Sequence, residues 1–566
     1  MRRDDHTWTK PIGLQAFFEL LTSDFFSASS KRNCYICLIA ESVRFEGSRD
    51  YAAKHMSDAS NRQTFFSVIT GLISVVTPIC VGFFLTPFIV KTLGEEANGF
   101  AQLANNFVMY ASLLTTAFNS MGGRFISVSF HNEELEKAKQ YFSSLVLCNI
   151  VLTLILLLPG FFIVRYLDSL LAVETANVSD VKILFACIFL NFIVNQFTSL
   201  FSMSMFVRNK LYIQNILNLI RNLMNALLLL CAFSFLPARI YYVSAVALLL
   251  SIILFPCYYI IHRRILSSLA FRISDFRFSS LRELFKSGIW NTINQGAFVL
   301  LTGMDLLLAD LFINPVSMGI LSVSKTVPSF VSNLAGSLNS NLSPSITIAW
   351  AKKDNVRLLK DLRNSMKVSS VLLATPIMLF CGFGVDFYQL WTPSLNAREL
   401  AWLSFLACMH FIPMAGPNVL FNVFSAANKL QVNAISFLIT GIINVAVVFF
   451  VLKSGYQYGI FAVAGVSGVL SIVRNMIVTL PYMAKILNLR WYEFYKDAGM
   501  SVLCSGLVLV SVLLVKRFVA ISGWFSLSIA VLLAAIMAVI CEVFVLCNKE
   551  ERMKLIQVIG DKIKRE

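Results

Sequence analysis

The sequence predicts an all-α polytopic membrane protein of about fourteen transmembrane helices, two homologous six-helix lobes followed by two further helices. Composition, a regular succession of bilayer-length apolar runs, and an internal repeat at a nearly constant offset lead to this reading. Of 566 residues, 57% are hydrophobic and only 14% are charged, and mean hydropathy is +0.73. Soluble domains carry about a quarter charged residues, so most of this chain faces lipid or other apolar helices. A helix of about 20 residues crosses the ~30 Å hydrocarbon core.

The apolar runs fall near 65–91, 101–123, 141–164, 183–206, 212–235, 240–261, 287–313, 316–348, 366–391, 400–424, 432–452, 457–483, 498–515 and 524–547. Several contain proline, as at Pro78, Pro87, Pro328 and Pro344. Membrane helices tolerate this where neighbouring helices satisfy the freed backbone groups. Ahead of them, residues 1–55 are mixed polar and aromatic, with no apolar h-region or small-residue cleavage site, so they are not a secretory signal. Met56 opens a short polar lead into the first run. Either translation starts there and 1–55 is an upstream extension, or 1–55 is a cytoplasmic tail.

The charges set the orientation. Connections on the side of the C-terminus hold 27 Lys and Arg, those on the other side 8, and the N-terminal segment 9. This asymmetry places both termini in the cytoplasm and favours an even number of helices. Three of the 47 cations remain, all inside helices: Arg221, Lys325 and Arg474. The net charge of +16 is therefore topogenic, and nucleic acid is not an expected partner. The twelve cysteines are scattered and read as small hydrophobes. The one close pair, Cys34 and Cys37, is a weak zinc signal.

Several matches recur at an offset of 219 or 220 residues. Asn209-Lys210-Leu211 recurs as Asn428-Lys429-Leu430, Asn225 as Asn444, Asn119-Ser120 as Asn339-Ser340, and Gly99 as Gly319. The expected organisation is a polar N-terminal segment (1–64), an N-lobe (65–261), a basic linker (262–286), a C-lobe (287–483), helices 13 and 14 (484–547) and a cytoplasmic tail (548–566). Six helices per lobe make the repeats parallel, related by an axis along the membrane normal.

The arrangement resembles the multidrug/oligosaccharidyl-lipid/polysaccharide exporter superfamily, and within it the polysaccharide-biosynthesis (O-antigen type) flippases. The local echoes are Phe88 to Gly94 running on to Gly99-Phe100, Asn119 to Ser127 closing helix 2, and Arg208 to Tyr212 between helices 4 and 5. The resemblance covers about 65–483. It implies a bacterial cytoplasmic (inner) membrane flippase that moves undecaprenyl-diphosphate-linked oligosaccharides to the outer leaflet for surface polysaccharide synthesis. It implies as partners that lipid-linked oligosaccharide, membrane lipids, and a polysaccharide polymerase or glycosyltransferase complex. Helices 13 and 14 depart from the twelve-helix pattern and resemble the lipid II flippase branch. Arg124 matches the family's cytoplasmic-gate position loosely, and a topogenic role fits it equally.

Ionisable residues inside a membrane cost about 2.5–3.5 kcal/mol each on insertion scales and normally face a bundle interior or wet cavity. The expected substrate cavity combines Arg221, Lys325 and Arg474 with polar stripes. Asn215, Asn218, Asn222 and Asn225 recur at helical spacing in helix 5. Asn291, Gln295, Thr302 and Asp305 share a face of helix 7, and Ser329, Ser332 and Asn339 follow Lys325 in helix 8. Cations there suit a diphosphate and acidic sugars; an ion pair of Lys325 with Asp305 or Asp310 is the structural alternative. Asp305 and Asp310 are the candidates for ion coupling, by proton or sodium. His410 reads as a hydrogen-bonded core histidine. No phosphate-binding loop, H-E-x-x-H or G-x-S-x-G is present, so no enzyme and no cofactor are expected. The rival functions are a cation-coupled multidrug exporter, a lipid II flippase and a non-transporting scaffold for glycosyltransferases.

Overall fold

The computed structural model describes residues 77–546, except 172, 174–176, 209, 353, 428 and 456–457, together with residues 70, 552 and 553. Met56, the Cys34/Cys37 pair, the first residues of helix 1, Asn209, Asn428 and nearly all of the tail lie outside the described residues.

Fourteen helical segments follow one another among the described residues. They are α1 (Thr77–Leu93), α2 (Glu95–His131), α3 (Leu135–Arg165), α4 (Val178–Val207), α5 (Leu211–Phe235), α6 (Tyr242–Ile265) and α7 (Phe278–Phe312). They continue with α8 (315–351), α9 (Asn355–Trp391), α10 (397–426), α11 (Gln431–Lys453), α12 (Gly459–Ile486), α13 (Tyr495–Phe518) and α14 (Trp524–Leu546). Ten of these are long and apolar enough to cross a membrane. The others are α1, the polar-rich α2, and α8 and α10, which are interrupted.

The helix boundaries repeat with the offset of the sequence matches. α2 and α8 start at 95 and 315 and end at 131 and 351; α4 and α10 start at 178 and 397 and end at 207 and 426. Packing repeats too: α4 lies on α6 as α10 lies on α12, and α5 on α6 as α11 on α12. α2 is the spine, touching α3 and α4 of its own half and α7 and α8 of the other. Two contacts require glycine. A methyl group on Gly288 of α7 would lie 1.9 Å from the Ala117 carbonyl oxygen of α2, and Gly99 and Gly319 abut where α2 crosses α8. α13 and α14 both pack on α9.

The interruptions have identifiable causes. Pro328 has no N–H to give the Ser324 carbonyl, so α8 breaks at Lys325. Ser404 Oγ of α10 donates to that carbonyl instead, at 2.7 Å. α10 breaks around Pro413, Gly416 and Pro417. There the Ser369 hydroxyl of α9 donates to the Ala415 carbonyl at 2.6 Å, and Gly416 N–H donates to Ser501 Oγ of α13 at 3.0 Å.

The basic linker is less solvated than its composition suggests. Leu266 and Leu269 are buried, His262 bonds the Leu269 carbonyl at 2.9 Å, and the linker backbone at Arg272 and Arg277 donates to Ser143 and Ser144 of α3. Its first stretch is thus strapped to the first half. At the opposite ends of the helices, three of the eight minority-side cations are neutralised: Lys182 by Asp168 (3.0 Å), Arg239 by Asp180 (3.2 Å) and Lys516 by Asp386 (2.5 Å). The Lys182 ammonium holds the Asp168 carboxyl below the usual carboxylate range.

Candidate functional site

Arg221 sits in a polar notch formed by α4, α5 and α6, a cavity of about 140 Å³ lined by Asn195, Ser199, Asn218, Ser251 and Tyr258 among others. Its Nη1 donates to Asn195 Oδ1 at 3.1 Å. Asn195 donates onward to Asn191 at 2.9 Å, and Ser251 donates to that Asn191 oxygen at 2.6 Å. Tyr258 donates to Asn218 at 3.4 Å. The stripe on α5 is therefore half used here: Asn218 lines the notch beside Arg221, and Asn222 and Asn225 are part-buried on the same helix. A volume of 140 Å³ is several waters at about 30 Å³ each, enough for a phosphate-sized group and too little for a sugar chain.

A second polar centre lies where α7 changes its winding. Residues Val299–Gly303 form a π-turn, closed by Met304 N–H on the Val299 carbonyl at 3.0 Å. Such a turn strips nearby carbonyls of helical partners and recurs at functional sites. Side chains of three other helices take them. Asn106 and Tyr110 of α2 donate to the Gly303 carbonyl at 2.8 and 2.6 Å. Asn444 of α11 donates to the Leu300 and Leu301 carbonyls at 3.2 Å. Lys325 of α8 donates to the Thr302 carbonyl at 2.8 Å and pairs with Asp305. Asp305 is buried, with Oδ1 unpartnered.

Arg474 is held within α12 and against α11. Its Nη2 and Nε donate to Asn475 Oδ1 at 2.7 and 3.3 Å, and its guanidinium lies 4.4 Å from the centre of the Phe437 ring. Asn475–Thr479 is again a π-turn, and Thr479 donates to the same Asn475 oxygen at 3.1 Å.

The structure brings Lys325 to Asp305, Arg221 to Asn218, and Arg474 to Asn475 and Phe437. In a low dielectric each cation takes its nearest acceptor, an amide for Arg221 and Arg474 and a carboxylate for Lys325. On α7, beyond the π-turn, Asp305 is buried and paired with Lys325 of α8, and Asn291 and Gln295 before it are part-buried. Asp310 is buried further along α7, and Arg124 is exposed on α2. His410 bonds the Ala407 carbonyl at 3.1 Å, the role expected of a core histidine.

Residues 67–350, half of the chain, match the family described as polysaccharide biosynthesis protein. The chain belongs to that family. It is 27% identical over 487 residues to the uncharacterized membrane protein EpsK of Bacillus subtilis (strain 168), covering 86% of this chain and 96% of EpsK. Among solved structures it is similar to the lipid II flippase MurJ in an inward closed conformation, with a TM-score of 0.61, 12% identity, and coverage of 86% of this chain and 98% of MurJ. It is also similar to an inward-facing multidrug resistance transporter of the MATE family, with a TM-score of 0.56, 11% identity, and coverage of 79% and 99%. At these identities the likeness is one of fold: a multi-pass helical membrane protein of that architecture.

Several residues of this polysaccharide-biosynthesis family member escaped the sequence reading. Asn191 and Asn195 stand four apart in an apolar helix, a signal that was present. Asn106 and Tyr110 likewise share a face of α2. Nothing local announced Asn475 or Phe437, because their importance follows from the π-turn. Glu542 was passed over because it lies in α14, outside the repeat.

Proposed function

We propose that this protein is a flippase, not an enzyme, which carries undecaprenyl-diphosphate-linked oligosaccharide repeat units from the cytoplasmic to the outer leaflet of a bacterial cytoplasmic membrane. The observation that carries the reading is the company Arg221 keeps. Its guanidinium is committed only to a neutral amide among the described residues, in a notch of the size of a phosphate. Arg474 is likewise served by an amide and a ring rather than by a carboxylate. A guanidinium without a counter-anion inside a membrane is costly, and an anionic diphosphate would supply the missing charge in a bidentate geometry that suits arginine. The family's description points to polysaccharide synthesis, and the fold is one that a lipid flippase also uses.

In this reading the two six-helix halves, near 65–261 and 287–483, alternate access by rocking about the α2–α8 crossing. Both termini lie in the cytoplasm, and Asp305 with Lys325 is the pair on which a proton or sodium gradient acts. A cation-coupled multidrug exporter would place unpaired carboxylates, not unpaired guanidiniums, at its centre. Deleting the gene tests the proposal: lipid-linked oligosaccharide should accumulate while surface polysaccharide disappears. Unchanged surface polysaccharide, with loss of resistance to cationic compounds, would instead support the exporter.

A further inference from the structure

The C-terminal helix pair carries a buried acid that the transport reading does not use. Glu542 of α14 is 0% exposed and lies within the span Trp524–Leu546. Its Oε2 accepts a hydrogen bond from Thr375 Oγ1 of α9 at 2.9 Å, and its Oε1 has no hydrogen-bond partner. α14 packs on α9 and α13. The groups that face Glu542 from those helices are the Thr375 hydroxyl and, on α13, the buried Cys504 thiol. The charges of α13 stand at its ends, Lys496 and Asp497 at the start and Lys516 and Arg517 at the finish. Those of α9 are Asp386, bound to Lys516, and, in its first turns, Asp361, bound to Arg357, together with basic residues of which Arg363 binds Glu493. Among the described residues, none of these cations pairs with Glu542.

Asp305 makes the contrast plain. That acid is as deeply buried, but the Lys325 ammonium balances it. Glu542 has a hydroxyl and a thiol where Asp305 has an ammonium. A charge without a counter-ion is expensive in hydrocarbon, and a group so placed neutralises itself by taking up a proton.

We propose that Glu542 is a proton-binding site and that its proton holds the α13–α14 pair against α9. The step is a simple ionisation. The carboxylic acid at Glu542 releases one proton to water and leaves one carboxylate, which places an unpaired anion in a three-helix interface and loosens it. The proposal is independent of the cargo and of the Asp305–Lys325 pair.

The test uses the full-length protein in lipid nanodiscs and the probe dicyclohexylcarbodiimide, which adds to protonated carboxyls in apolar surroundings. The adduct is located by peptide mass spectrometry over a pH series. The expected result is an adduct on Glu542 and none on Asp305, with its rate of formation falling about tenfold per pH unit above the titration point. In a second arm, N-ethylmaleimide should reach Cys504 at alkaline pH in the natural protein, and Glu542→Gln, which cannot ionise, should stay protected at the same pH. A carboxylate beside a thiol opposes its ionisation, so heavier labelling of the natural protein cannot come from the thiol itself and reports the interface. No adduct on Glu542 at acid pH, or a rate that does not change with pH, overturns the proposal, and this arm needs no variant. Equal Cys504 labelling in the natural protein and Glu542→Gln overturns the link to α13–α14 seating.

Discussion

Gly99 and Gly319, 220 residues apart in the sequence, touch each other at the crossing of α2 and α8. A methyl group on Gly99 would lie 3.0 Å from Gly319 Cα, and one on Gly319 would lie 2.5 Å from the Glu95 carbonyl carbon and oxygen. The side chains beside them lock the same crossing, with Asn98 donating to Ser322 Oγ at 2.7 Å. Two positions matched across the sequence repeat thus meet where the first residues of α2 and α8 cross.

Side chains added at the two glycines would meet different obstacles. The nearest obstacle to a side chain at Gly99 is Met318 Cε at 2.7 Å, the free end of a flexible chain, whereas at Gly319 it is backbone. Gly319→Ala should therefore lower the thermal unfolding midpoint in detergent more than Gly99→Ala, within the roughly 1–3 kcal/mol typical of overpacking. Equal midpoints for Gly319→Ala and the natural protein would remove the crossing as a close contact.

The sequence made much of this legible. Fourteen apolar runs were countable because lipid demands long uninterrupted stretches, and the repeat survived at residues where backbones touch or carbonyls need capping: Gly99 with Gly319, and Asn444, whose amide serves two carbonyls of the α7 π-turn. The π-turns themselves were not legible. They arise from competition between helical bonding and side chains such as Asn106, Tyr110 and Lys325 arriving from other helices, and no local pattern encodes that.

The Asp305–Lys325 pair supports a double-substitution test. Breaking a buried pair from one side leaves an uncompensated charge and costs about 3–5 kcal/mol. Asp305→Asn and Lys325→Met alone should each reduce the folded protein recovered from membranes, and the two together should restore it. If the double variant is as poorly recovered as the single ones, the two charges do not depend on each other.

Coupling is a separate question with its own readout. Asp305→Asn should abolish gradient-dependent transport in proteoliposomes while leaving binding of the lipid-linked glycan largely intact, and Asp310→Asn should matter less. Transport by Asp305→Asn at the natural rate, with the same response to the gradient, would reduce the carboxylate to a structural counter-charge.

The two arginines should respond differently to lysine. Arg221→Ala and Arg474→Ala should both abolish polysaccharide export with near-normal protein abundance in the membrane. Arg221→Lys keeps a charge that can still reach Asn195, and should retain part of the activity. Arg474→Lys gives up both the fork on Asn475 and the planar contact with Phe437, and should retain less. Disappearance of the alanine variants from the membrane would mark these arginines as structural.

The most direct measurement is transport itself. The purified protein is reconstituted into liposomes containing a fluorescent undecaprenyl-diphosphate oligosaccharide, and the fraction of its glycan reached by an added membrane-impermeant glycosidase is followed over time. The account predicts that the natural protein brings glycan from the inner leaflet to the enzyme and that Arg221→Ala does not, although both are present in equal amounts. Movement by Arg221→Ala at the natural rate, or none by the natural protein under any ion gradient, would contradict it.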